Sequence, residues 1–152
     1  NKALEIVNAG TAIADLGEYA LKLYSNGAVG ATSTLALTGT LAPGATLVIC
    51  NAAIVATALP SCNLTNSGVI NFNGDDAITL ERNGSVVDAF GQVGFDPGAA
   101  WTSGAVSTAN LTLRRKAAVT RGSVPPAAPA VWDVAAEWEA FAIDSFDGLG
   151  SR

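Results

Sequence analysis

The side chains that could do chemistry in this chain are few, and histidine is absent. Without histidine there is no Ser-His-Asp triad, no Cys-His pair and no His-ligated metal. Two cysteines, Cys50 and Cys62, are too few for a Cys₄ zinc site, and no Walker-type phosphate loop is present. Carboxylates remain. Asp75 and Asp76 make the best pair, in a turn that also holds Asn73 and Gly74. Hard cations take oxygen ligands from loops, so this pair is the candidate Ca²⁺ site. The competing reading is turn chemistry, in which an aspartate bonds its own backbone. A paired-carboxylate glycosidase has no cleft-forming feature behind it. No other cofactor is implied, and the chain is expected not to be an enzyme.

Three further sets of residues could bind rather than react. Arg114, Arg115 and Lys116 could contact phosphate or a sulfated polymer. In a strand, however, Arg114 and Lys116 fall on one face and Arg115 on the other, as on a solvated edge guarded by charge. Trp101 and Trp132, with Trp138, could form a sugar-stacking surface, or they could be core and lids over the ends of a sandwich. Cys50 and Cys62 enclose eleven residues of loop-like sequence. In an oxidising compartment they would pair, contributing about 3 kcal/mol by restricting the unfolded chain; otherwise they are buried thiols. Asn63-Leu64-Thr65 and Asn110-Leu111-Thr112 match the glycosylation sequon, a short motif of low specificity.

The elements that must position these residues read as strands. Leu4 to Ile6 is a short strand, closed by a turn at Asn8–Gly10. Tyr19–Tyr24 alternates apolar and mixed positions with period two, as a half-buried strand does. Leu35 and Leu37 form a short alternating run before the Pro43-Gly44 turn, and Thr46–Cys50 reads as a buried strand. Ala52–Leu59 holds good helix formers and predicts a short helix ending at Pro60. Val69 to Phe72 predicts a strand. The clearest local signal is Ala77–Arg82, Asn83-Gly84, Ser85–Phe90: two alternating runs flanking the dipeptide that takes the positive φ angles of a type I′ hairpin. Residues 91–110 read as a long loop, 124–129 as a Pro-rich extended surface stretch. Leu111 to Arg115 and Trp138 to Ala142 supply the last strands, and 145–152 reads as a terminal tail.

About eight short strands at 8–12-residue spacing, with at most one short helix, predict an all-β sandwich of one domain over residues 1–152. The composition agrees. Apolar residues make up 49% of the 152, charged ones 14%, and 16 Gly and 6 Pro are spread between the apolar runs. No window supplies the roughly 20 apolar residues of a membrane-spanning helix. Net charge is −5, which opposes strong general binding to nucleic acid. Residue 1 is Asn and no signal peptide is present, so the start reads as cut, by processing or by design.

Several stretches together resemble a known family. These are "NKALEI" at the start, "LGEYALKLYSNG" at 16–27 and "GTLAPGATLVICN" at 39–51. The most specific is "NFNGDDAITLERNGSVVDAFGQVGFDPGAAW" at 71–101, followed by "TLRRK" at 112–116 and "AEWEAFAIDSFDGLG" at 136–150. The chain is similar to the lamin tail domain, in the bacterial form found beside secreted nucleases and other extracellular hydrolases. The resemblance implies an immunoglobulin-like β-sandwich, a secreted or cell-surface location in a bacterium, and a binding or accessory role without catalytic residues. The cysteines are outside the family's general pattern. Members also carry one more strand ahead of the segment that begins at Asn1, and a sandwich short of an edge strand exposes unpaired backbone.

Two functions follow. The first is an accessory module of a secreted hydrolase or surface protein, binding a protein or extracellular polymer. The second is a structural subunit of a surface fibre or array, self-associating by strand complementation between chains through the open sheet edge.

Overall fold

The computed structural model describes residues 1–151; Arg152, the end of the expected tail, lies outside the described residues. In chain order the elements are β1 (Ala3–Val7), β2 (Ala14–Asp15), β3 (Tyr19–Tyr24), β4 (Ser33–Ala36), β5 (Thr40–Leu41), β6 (Thr46–Cys50) and β7 (Leu64–Thr65). They continue with β8 (Ala77–Arg82), β9 (Ser85–Phe90), β10 (Thr102–Ser103), β11 (Val106–Ser107), β12 (Thr112–Arg115), α1 (Val134–Glu137) and β13 (Trp138–Phe141). Five of these strands are two-residue bridges, leaving eight of four residues or more (13 − 5). The fold is an all-β, immunoglobulin-like sandwich with one short helix.

One layer is the antiparallel sheet β4-β3-β8-β9. Its β8-β9 side is the hairpin read from sequence: Asn83 (φ 49°) and Gly84 (φ 80°) take the two left-handed positions of the turn. The facing layer comes in two pieces, β7-β6-β1 and β13-β12. Leu21 and Leu23 of β3 and Ile78 of β8 face Ile49 of β6 across the main core, with Leu4 and Ile6 of β1 packed against it. On the outer side of β6, Val48 and Cys50 form a second cluster with Ile54 and Ala58. A third cluster, Trp101, Trp132 and Val134, sits under Phe90, Leu113 and Trp138.

Three local expectations are corrected. Val69 and Ile70 are both fully buried, which consecutive residues of a half-buried strand are not. Asn66 winds this segment instead: its side chain accepts from the Gly68 and Val69 amides, and its carbonyl from Ile70. No helix forms over 52–59. The Cys50–Cys62 disulfide holds the ends of that loop 5.8 Å apart between Cα atoms, so the chain doubles back. Asn51 starts a turn there by accepting the Ala53 amide, and only Leu59–Ser61 makes a single 3₁₀ turn. The short helix lies at α1, capped by the Asp133 carboxylate on the Ala135 amide.

The end of the chain does not trail as a tail. Phe146 and Leu149 pack against the outer cluster beside Val48 and Cys50. The Gly150 amide donates to Glu5 of β1 and the Gly150 carbonyl accepts from Thr46 of β6.

Candidate functional site

The residues singled out from the sequence are brought to different places and tasks. Asp76 is buried, and its two oxygens accept the amides of Asn26 (2.9 Å) and Asn73 (3.0 Å). That joins two turns through one carboxylate. Asp75 faces elsewhere, and its Oδ1 is buried without a partner. Among the described residues no three acidic or cysteine side chains converge as a metal site would.

The basic run divides by face. Arg115 points inward and grips Asp88 of β9 with both terminal nitrogens (2.7 and 2.9 Å), adding Glu137 at 3.2 Å. Burial pushes the guanidinium's pKa down, but the hydrogen bonds and charge of Asp88 and Glu137 outweigh it and hold it above its ordinary value. Arg114, on the outer face, pairs with Asp147 (3.1 Å) and lies over the Phe141 ring. Lys116 donates to the Ala135 carbonyl (2.6 Å). All three cations are therefore engaged within the fold. Trp101 and Trp132 are 2% and 6% exposed and pack edge-to-face, 5.8 Å apart. They form core rather than a stacking platform.

Gln92, which carries no signal in the sequence, organises this end of the molecule. Its amide donates to the Pro126 and Ala130 carbonyls, and its carbonyl oxygen accepts from Trp101 Nε1 and the Trp132 amide. The Pro-rich stretch is thereby tied to the core.

A groove lies between the two pieces of the facing layer. It holds about 1360 Å³ and runs between β1 and β12, floored by residues such as Leu21, Ile78, Leu80 and Phe90. Its walls are strand edges. The amide of Asn8 donates to Ala45 and that of Asn51 to Lys2 (3.0 Å each). With Leu4 opposite Ile49 and Ile6 opposite Leu47, the even-numbered residues of β1 exchange bonds with β6. Alternation then turns the backbone groups of Ala3, Glu5 and Val7 toward the groove. On β12, the Lys116 amide donates to Glu137 and Arg114 lies opposite Glu139. By the same alternation, Leu113 and Arg115 direct theirs away from β13 and toward the groove. Neither edge has a strand neighbour. The segment from Ile143 to Leu149 borders the groove and crosses its outer side, from Arg114 on β12 to Glu5 on β1.

The model of the Lamin Tail Domain family matches residues 1–94, more than half of the chain. The chain belongs to the lamin tail domain family. No curated protein and no solved structure matches it. The matched span holds β1 to β9, so the family accounts for the four-stranded sheet and for one wall of the groove; β12 lies beyond it. A lamin tail domain is an immunoglobulin-like fold used for binding, and among the described residues no helix is long and apolar enough to cross a membrane. The family resemblance pointed to an unpaired edge at the start of the chain; that β12 faces β1 across the groove was not legible, because the two lie far apart along the chain.

Proposed function

We propose that this lamin tail domain is a non-catalytic binding module of an extracellular bacterial protein, accessory to a secreted hydrolase or surface protein. The observation that carries the reading is the family match over residues 1–94, on a fold in which Asp76, Arg115, Trp101 and Trp132 are engaged in structure. The Cys50–Cys62 bridge supports an oxidising compartment.

The test is retention. Immobilised domain, challenged with proteins and polymers secreted by a bacterial culture, should hold at least one of them saturably, and should run as a monomer in light scattering. A domain that retains nothing and instead grows into open-ended particles is the structural subunit of a fibre or array. Metal-dependent nuclease activity lost in Asp75→Ala would make it an enzyme.

A further inference from the structure

We infer that β4 is a docking edge for a second copy of this chain, pairing antiparallel with its mate about Leu35 so that two four-stranded sheets join into one.

β4 is an outer strand of the sheet β4-β3-β8-β9, and none of its residues lines the groove. The Leu37 amide donates to the Tyr19 carbonyl (2.9 Å), and Leu35 lies opposite Leu21. The odd-numbered residues therefore exchange bonds with β3, and alternation turns the backbone groups of Thr34 and Ala36 outward. Both residues are exposed, and neither backbone bonds to another segment among the described residues. The opposite edge of the same sheet is finished differently. On β9 the Ala89 amide donates to the Ser123 carbonyl (2.9 Å), and Gly122 lies against the Val87 carbonyl. Natural sheets guard an open edge with lysine, proline, a bulge or a cover. Ser33-Thr34-Leu35-Ala36 carries no charge, no proline and no bulge.

Charge names the occupant. Residues 23–74 hold no Asp, Glu, Lys or Arg, and the 8 basic and 13 acidic residues all lie outside that stretch. Folding gathers its neutral turns beside β4: Gly68 lies against the Ser33 side chain, and the Ala52 amide donates to Ser67. Thr34, Ala36, Ala52, Ser67 and Gly68 are exposed, and such short side chains have little rotamer freedom to lose on docking. The charge beside this edge, Lys22 opposite Thr34, is already held by Glu81 (2.7 Å). With a net charge of −5, two copies repel each other, and this neutral side is where they meet without like charges opposed.

The strand is also its own complement. An antiparallel mate centred on Leu35 places Thr34 opposite the partner's Ala36, and Ala36 opposite the partner's Thr34. Each of these pairs exchanges two backbone bonds, about four in all. Leu35, packed against the core from β4, meets the partner's Leu35 on the inner face. The operation is a two-fold rotation, so association closes at a dimer. So short an edge belongs to the weak class of interface, below about 1,200 Å². Dilute protein is therefore monomeric, and pairs form as concentration rises. The inference goes beyond the binding-module reading and does not depend on it.

The test is sedimentation equilibrium on residues 1–152, from about 10 μM to about 1 mM. The average mass should climb from that of one chain toward twice that and level there. Hydrogen exchange over the same range should slow at the Thr34 and Ala36 amides and stay unchanged at Leu35, which is already bonded to β3. Ala36→Lys sets like charges about 8 Å apart across the axis and should weaken association about tenfold or more. Ala36→Pro, which removes an outward N–H and spares the bonds to β3, should do the same. A constant monomer mass, growth past two chains, association unaltered by both variants, or slowing confined to other amides would each overturn the inference. Slowing at Thr34 and Ala36 only when a secreted protein is added would give the edge to a different partner and overturn it as well.

Discussion

The two ends of the space between the layers are finished in opposite ways. At one, Phe90, Trp101, Trp132 and Trp138 close the sandwich with rings 5.0–5.8 Å apart, and Gln92 spends all four of its hydrogen bonds on the surrounding chain. At the other, β1 and β12 lie on either side of a groove over apolar residues of the facing sheet. The first end is closed by side chains, and the second lies between two strand edges.

Breaking the closed end should have the largest effect. Trp101→Ala removes a buried ring at the centre of the cluster and should cost about 3–5 kcal/mol, measured as a lowered urea midpoint. Reduction of Cys50–Cys62 should follow, at about 3 kcal/mol for a loop of this size, read by unfolding with and without reductant. Gln92→Leu keeps the volume but strands the Trp101 and Trp132 donors, at about 1–3 kcal/mol for each buried group left unpaired. The open end should respond less. Leu80→Ala truncates a side chain that is only partly buried against the core, so its cost should fall below the roughly 2 kcal/mol at which core Leu→Ala changes begin. A loss equal to that of Trp101→Ala would mean that the groove is packed after all, and the comparison would fail.

A tie remote from both ends sets the smallest effect. Lys22 donates to Glu81 across β3 and β8 (2.7 Å). That hydrogen bond raises the lysine pKa above 10.5, against a smaller opposing effect of burial. A raised folded pKa contributes stability that is whole below the unfolded value and lost as pH rises through the folded one. Stability should therefore hold to about pH 10.5 and decline above it, and Lys22→Met should flatten that alkaline limb in urea titrations at successive pH values.

Much of the fold was legible because it is local. Asn83-Gly84 specifies its hairpin through backbone angles that few other residues accept, and the alternation of Tyr19–Tyr24 and Ala77–Arg82 marks which face is buried. The misreadings came where side chains overrode propensity. Asn66 wound Val69 and Ile70 into a turn, and the disulfide bent 52–59 away from helix. The candidate site was less legible than the fold. Asp76, Arg115, Trp101 and Trp132 were each visible as chemistry, and each has an equally visible reading as structure. Residue type alone does not choose between them, because the choice depends on what faces the side chain.

By itself the sequence determined the periods, the turns, the absence of histidine chemistry and the family. These depend on residues within a few positions of one another or on composition. Only the tertiary structure decided that Gln92 joins residues up to 40 apart in sequence, that the end of the chain crosses from β12 to β1, and that the facing layer is split. Strand neighbours are set by contacts between distant segments.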